Sequence, residues 1–485
     1  AVDAREGDGG LQPTKELTVT TTTSTPALAD DLRRRGFTGQ AIGAGHPEYD
    51  AARRVWNGSI DRYPLVVARC ADDEDVAAAI GVARAHELPL AVRGGGHSVP
   101  GHSTCDGGVV IDLSPLRRVA VDPVARRALV GGGALLGDLD RATQEHGLVV
   151  PAGQVSHTGV AGLTLGGGIG YLSRAYGLTI DSLVSARVVT ADGRTVRARD
   201  DEHPDLFWAL RGGGGNFGVV TELEFELHSL GPLVHAGVFV FPFERAGEVL
   251  RASRAVMAHA PDELTIYEIL LTVPPHEPFP VELQGTRAVF IVPVHVGADA
   301  QARAALEPFR ELGPAFDLVG PMPYLALQSM IDDDTRHGLG HYSRAHWLSG
   351  YEDELIDTLV EHLPRSPSPM SHLITSRMGG AVERVPSDAT AFAHRSAANL
   401  LWIIGLWPDP RDPDTAHREW VDELFERTRP FGTGAVYVNG LEDEGPDRVR
   451  AAYGSETFAR LTEVKDRWDP DNVFRLNQNI PPSEA

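Results

Sequence analysis

The sequence predicts an α+β fold in two domains, and three observations predict it. The 485 residues leave room for two or three domains at roughly 100–200 residues each. Short apolar runs, glycine-rich turns and amphipathic helical segments alternate up to about residue 230, and longer alternating runs separated by helices follow. Glycine clusters at 94–96, 131–133, 166–168 and 212–215 all lie in the first part. Such clusters mark places where backbone takes positive φ or must approach something closely. The expected organisation is an N-terminal arm over 1–40, a glycine-rich domain over 41–230, a second α+β domain over 231–435, and a C-terminal segment over 436–485.

The elements follow in chain order. Residues 64–70 read as a strand, and 73–86 as a helix with Asp73, Glu74 and Asp75 in its first turn and alanine-rich turns after. Strands are expected at 88–93, 109–113 and 127–130, then a helix at 135–146 closed by Gly147. Beyond the last glycine cluster, 219–228 alternates as a strand. Further strands are expected at 236–243, 264–273, 287–296, 371–378 and 399–407, with helices at 244–258, 300–312, 352–362 and 415–428 between them. This order predicts a mostly antiparallel sheet with helices. The segment 460–480 begins helical and ends in Asp469-Pro-Asp-Asn-Val-Phe-Arg-Leu-Asn-Gln-Asn-Ile480.

Composition excludes several classes of function. Apolar residues are 42% and charged residues 23%, as in a packed globular chain. The net charge of −23 disfavours nucleic acid or an anionic membrane as a partner. No apolar run is long enough for a transmembrane helix. Cys70 and Cys105 are the two cysteines; they can form at most one disulfide and no four-cysteine zinc site. No local His/Cys/Asp spacing resembles a metal site, and His97 and His102 on one loop fix nothing. No charged stretch followed by an apolar one opens the chain, so no signal peptide is expected. The threonine-rich stretch 18–25 receives no role. A cytoplasmic or secreted location, and a monomer or homodimer, both remain compatible.

Two segments carry chemistry. In Arg93-Gly-Gly-Gly-His97-Ser98, three glycines after a strand expose consecutive backbone N–H groups, a nest for a pyrophosphate, and place an imidazole beside it. The stretch from Pro151 to Gly170 has almost no large polar side chain, so its backbone can lie against a planar ligand and bond it through main-chain groups. A flavin accounts for both. Gly213-Gly-Gly-Asn-Phe-Gly218 satisfies G-x-G-x-x-G, but a strand-like alternation follows it where the dinucleotide fingerprint requires a helix. A Rossmann site is therefore not expected.

These motifs, with Val110-Ile-Asp-Leu113, Leu165-Gly-Gly-Gly-Ile-Gly170, Tyr176-Gly-Leu-Thr-Ile-Asp181, the segment 205–218 and the tail from Trp468 to Ile480, resemble the FAD-linked oxidases of the vanillyl-alcohol-oxidase superfamily, in their bacterial berberine-bridge-enzyme-like branch. The resemblance implies a two-subdomain FAD-binding domain of the PCMH type plus an α+β substrate domain with an antiparallel sheet, after which the C-terminal segment 436–485 returns to the FAD domain. It implies FAD bonded covalently through His97. The family's second, cysteinyl link would fall on Val155, so single attachment is expected; Cys105 does not match that position and reads as structural. Cofactor contacts are expected from Arg93, Gly94, Gly95, Gly96, His97, Ser98, His102, Pro151, Gly153, His157, Thr158, Gly159, Gly162, Leu163, Gly168, Gly170, Leu178, Asp181, Val219, Asn477 and Asn479. Thr158 matches the position that controls oxygen access, which suits an oxidase and leaves an oxygenase or cyclase open; a dehydrogenase with another acceptor is a third reading.

The proton acceptor is the weakest part of the match. Where many relatives have Y-x-N-Y, this chain reads Tyr437-Val-Asn-Gly440, and a glycine cannot be a base. Tyr437, His346 and Arg377 are the expected catalytic residues, with His295, Tyr342 and Glu268 as further candidates. The run Leu400-Leu-Trp-Ile-Ile-Gly-Leu-Trp407 is apolar on both alternating faces, which suits an aromatic, polyketide or terpenoid-like substrate better than a bare sugar. The expected activity is hydride transfer from such a small molecule to the flavin, with O2 reduced to H2O2.

Overall fold

A computed structural model describes residues 25–484. The threonine-rich stretch, Thr25 excepted, lies outside the described residues. The helix Thr25–Arg34 buries Leu28 and Leu32 against the first sheet, so this part of the expected arm packs as part of the first subdomain.

That sheet contains β1 (Gln40–Gly43), β2 (Val66–Arg69), β3 (Leu90–Arg93) and β4 (Val109–Asp112) in the order β1-β2-β4-β3. The pairs β2·β4 and β3·β4 are parallel. The crossover helix Asp73–Ala85 starts at Asp72, whose carboxylate accepts from the Asp75 N–H, a side-chain N-cap. All four residues of β4 are buried, as a strand covered on both faces requires.

The second subdomain is antiparallel: β5 (Val119–Asp122), β6 (Arg127–Gly131), β8 (Leu183–Val189), β9 (Thr195–Ala198) and β10 (Val219–Glu226) pair in the order β5-β6-β10-β8-β9. A short ladder joins β7 (Leu148–Val149) to β11 (His228–Ser229). As expected, a strand and not a helix follows Gly218.

The third unit holds β12 (Leu233–Ala236), β13 (Phe239–Pro242), β14 (Leu264–Thr272), β15 (Arg287–His295), β16 (Phe316–Asp317), β17 (Gly320–Pro323), β18 (Gly340–Leu348), β19 (His372–Arg377) and β20 (Asn399–Trp407). Its main path is β16-β13-β15-β14-β19-β20-β18, antiparallel throughout. The helices Ala246–Met257, Asp353–His362 and Thr415–Thr428 bury Leu250, Leu355 and Leu424 against one face through Leu264, Ile266, Leu270, Leu373, Leu401 and Ile403. The opposite face is left for a ligand. Besides the short elements between 316 and 328, which were not expected, two strands differ from expectation. The strand over 236–243 is two strands, broken at Gly237 with φ +139°. The strand β18 has no apolar alternation to announce it, because its outer residues Tyr342 and Arg344 are half-buried and polar, bonding Asp422 on the covering helix.

The C-terminal segment returns to the first domain. In the last turn of the helix Ser455–Trp468, the buried Lys465 ammonium donates to Asp469 at 2.7 Å, to the Asn216 carbonyl at 2.8 Å and to the Phe474 carbonyl at 3.0 Å. Asn216 in turn donates to the Gln478 carbonyl and accepts from the Ile480 N–H.

Candidate active site

A cavity of about 480 Å³ lies between the glycine loops of the first two subdomains and the free face of the third unit's sheet. Its walls include the loop from Gly94 to Pro100, Gly214 to Asn216, and the tail residues Phe474, Leu476 and Asn477. The two glycine loops touch. A Cβ on Gly95 would stand 2.2 Å from the Gly159 nitrogen, and one on Gly159 would stand 2.3 Å from the Gly95 nitrogen. Glycine at both places lets two backbones meet without side chains between them.

Of the expected cofactor residues, Gly94, Gly95, Gly96, His97, Ser98, His102, Gly153, Thr158, Gly159, Gly162, Leu163 and Asn477 line this cavity. Others act from behind it. Arg93 is buried and pairs with Asp112 at 2.7 Å, fixing the strand that launches the loop. Asp181 pairs with Arg395 at 2.7 Å and accepts from the Leu178 N–H. The Gly168 N–H donates to the Tyr437 hydroxyl at 3.0 Å. Pro151, Gly170 and Val219 are buried supports, His157 stands behind His97, and Asn479 lies just beyond Asn477, outside the lining.

His97 is held on two sides. Its ring stacks on Trp56 at 4.7 Å and 18°, and its Nε2 shares a 2.6 Å hydrogen bond with His157 Nδ1. Its Nδ1 lies 3.5 Å from Thr158 Oγ1. Burial first, then the repulsion of His157, His337 and His341, pushes its pKa well below the usual value. The neutral imidazole that results keeps the lone pair an alkylation requires.

The sheet's inner face is largely apolar. Leu400, Trp402, Ile404 and Leu406 from β20 and Ile374 from β19 line it, together with Tyr267, Ser376, His341 and His372. His341 is buried, its Nδ1 has no hydrogen-bond partner among the described residues, and burial with the neighbouring His372 pushes its pKa to about 3. His372 Nδ1 bonds the Met370 carbonyl at 2.8 Å.

The expected catalytic residues divide. Tyr437 lines the cavity; its hydroxyl accepts from Gly168 N–H and from Asn439 Nδ2 at 2.9 Å, and burial raises its pKa. It is an anchored phenol that can donate, and a poor base. His346 and Arg377 do not line the cavity. The alternation of a strand puts His346 on the outer face of β18, where Nε2 bonds the Phe425 carbonyl and the ring stacks on Phe425 at 4.0 Å. Arg377 shares the outward register of Leu373 and Thr375. Glu268 and Tyr342 are outward too: Glu268 accepts from Thr375 Oγ1 at 2.6 Å, and Tyr342 donates to Asp422. His295 lies at the end of β15, where Nδ1 accepts from the Gly297 N–H. Cys105 and Cys70 are free and buried.

The missing second tyrosine also has a structural reason. A Cβ on Gly440 would stand 3.0 Å from the Trp402 ring and 3.3 Å from Ala345. The indole of Trp402 fills the room that a side chain at 440 would need.

The cavity fits FAD by its own chemistry. His102 Nε2 and Asn477 Oδ1, on residues that line it, are buried without partners among the described residues, and buried polar atoms of this kind call for a ligand's hydrogen bonds. The glycine loops supply main-chain N–H groups beside them. A planar, polar-tailed ligand matches both features.

Comparison with known proteins identifies the class first. Residues 64–199 match the family profile "FAD binding domain" and residues 436–481 match "Berberine and berberine like". An FAD-linked oxidoreductase of Dictyostelium discoideum is 31% identical over 444 residues, covering 90% of this chain and 93% of that protein. (R)-6-hydroxynicotine oxidase of Paenarthrobacter nicotinovorans is 30% identical, covering 92% and 97%. The crystal structure of 6-hydroxy-D-nicotine oxidase from Arthrobacter nicotinovorans superposes with a TM-score of 0.83 at 27% identity, covering 93% of this chain and 99% of that one. The chain is an FAD-dependent oxidoreductase, and it belongs to the berberine-bridge-enzyme-like family of FAD-linked oxidases.

Proposed function

We propose that this enzyme oxidises a small, largely apolar organic substrate with O2 as acceptor, releasing H2O2, and that its FAD is bonded through His97 alone. The observation that carries the reading is the cavity itself, with a neutral His97 at one wall and Leu400, Trp402, Ile404 and Leu406 at another. When bound, the flavin supplies hydride acceptance and electron transfer to oxygen. The chain's residues exclude water, orient the substrate against the apolar strand β20, and take its proton. Val155 lines the cavity where a cysteinyl link would need a thiol.

Gly440 and the raised pKa of Tyr437 leave the imidazoles as proton acceptors, and His341 is the better placed. Its free Nδ1 accepts a substrate hydroxyl or amine proton. A low pKa does not prevent this, since a substrate that has lost hydride is a very strong acid until it sheds that proton.

The test has two parts. Acid precipitation of the purified protein should give a yellow pellet, and His97→Ala should release the flavin to the supernatant. Screening benzylic, phenolic and polycyclic alcohols should then find one that yields peroxide in step with O2 consumed. Flavin released by the wild type overturns the covalent link. Incorporation of labelled oxygen into product, without matching peroxide, favours an oxygenase, a reading that the Thr158 hydroxyl in the cavity wall would support.

A further inference from the structure

His97 has a second neighbourhood, outside the cavity. His157 and His337 do not line the cavity. Yet one ring nitrogen from each of His97, His157 and His337 lies within 4.8 Å of the others. The rings stand 4.8 Å (97 to 157), 5.0 Å (157 to 337) and 5.7 Å (97 to 337) apart between centroids. The three come from distant parts of the chain: a glycine loop of the first subdomain, the flat loop before the helix Val160–Leu165, and the segment just before β18.

We propose that His97, His157 and His337 form a binding site for a divalent transition cation of the Zn2+ class, placed at the junction of the FAD-binding and substrate domains. Three imidazoles with an open fourth position are a known ligand set for such ions, and soft or borderline metals prefer nitrogen here to the oxygen-rich sites of Mg2+ or Ca2+.

Three features support the site, and its geometry sets one condition. Burial lowers the pKa of all three imidazoles, with added repulsion from neighbouring histidines at His97 and His337, which favours the neutral form that binds metal. His157 directs Nδ1 at the cluster, while Nε2 is buried beside the main chain of Asp332 without a well-formed hydrogen bond; a ligating histidine commonly turns its second nitrogen to such a group. His337 is exposed, which gives an ion its path from solvent. The condition is one of spacing: ligand nitrogens around a tetrahedral ion with bonds of about 2.0–2.1 Å stand about 3.3 Å apart. Reaching that spacing needs the 2.6 Å contact between His97 and His157 to open and His337, on an exposed loop, to draw in.

The site and a flavin bond are compatible. Nε2 of His97 faces His157, whereas Nδ1 lies by Thr158, whose residue lines the cavity. An imidazole alkylated at one nitrogen keeps a lone pair on the other. A cation on Nε2 would therefore withdraw electron density from the ring that carries the flavin.

The experiment is calorimetric titration of untagged, metal-stripped, flavin-loaded enzyme with Zn2+ at neutral pH, repeated with Co2+ while the absorption spectrum is recorded. The expected result is one saturable equivalent per chain, with Co2+ giving visible bands on the long-wavelength side of the flavin absorption. His157→Ala and His337→Ala should each weaken binding at least tenfold. His146→Ala, on an unrelated surface, should not. His337→Ala should keep its full flavin content, since that side chain lies off the cavity. Absence of saturable binding, or binding unchanged in both variants, overturns the proposal. Flavin attachment is read separately by acid precipitation, so its failure leaves the metal result interpretable.

Discussion

Replacing Asp140 by asparagine should make the protein more stable above neutral pH and leave it nearly unchanged at pH 4. Asp140 lies in the helix Leu136–Gln144 and is 1% exposed. Gln328 Nε2 donates to its Oδ2 at 3.0 Å and also to the Gly153 carbonyl at 2.9 Å, which ties this helix to the cavity wall. Its Oδ1 has no partner. Burial therefore outweighs the hydrogen bond and raises the carboxyl pKa to about 7. In the unfolded chain the same group titrates near 3.9. Between these values the native state holds a proton that the unfolded state has lost, so stability falls as pH rises from about 4 to about 7 and is level beyond. Three pH units at about 1.4 kcal/mol each come to about 4 kcal/mol at this one residue. The amide of Asp140→Asn would carry no charge to bury and would still accept from Gln328. Urea midpoints at pH 4, 6 and 8 check this: the gap between variant and wild type should open with pH and reach a few kcal/mol. Parallel curves at all three pH values would refute the reasoning.

Other outcomes follow from the same structure. His341→Ala should slow anaerobic bleaching of the flavin by substrate by about 10²- to 10⁴-fold, the range of a lost general base, while flavin content stays normal; a rate within twofold of wild type would remove His341 as the proton acceptor. Gly159→Ala places a methyl 2.3 Å from the Gly95 nitrogen, so the loops must part, and the purified variant should lack yellow colour and fail to take up added FAD. Asn216→Ala removes hydrogen bonds to Gly213, Gln478 and Ile480; it should lower stability by about 3 kcal/mol and speed limited proteolysis of the tail, both measurable with and without FAD.

Much of the cofactor site was readable from local sequence because glycine states its purpose locally. The triplet 94–96 and the stretch from Pro151 to Gly170 lack side chains where backbone must meet ligand or backbone, and the strand after Gly218 excluded a Rossmann turn. The substrate face was harder. Whether Leu400 or Leu401 looks inward depends on which face the helices cover, and that is a tertiary fact. For the same reason His346, one step out of register with His341 and Ala345, is the wrong side of β18 for chemistry. His341 and His372 sit in strands whose polar residues occupy both faces, so no alternation pointed to them. Tyr437 was found because a motif carries it, but the replacement of its partner became intelligible only with Trp402 seen in the space beside Gly440. The approach of His157 and His337 to His97 joins residues far apart in the chain, which no spacing rule detects.

The tail's part in the cavity wall has a bearing on how the enzyme is made. Phe474, Leu476, Asn477 and Gln478 line the same chamber as the glycine loop that begins at Gly94. A ribosome delivers Gly94 long before it delivers Phe474. During synthesis the glycine loops therefore exist as an open trough, without the Lys465 clamp that fastens the tail to Asn216. A chamber able to enclose a flavin therefore exists only once the segment 474–478 has been made and the clamp has closed on it.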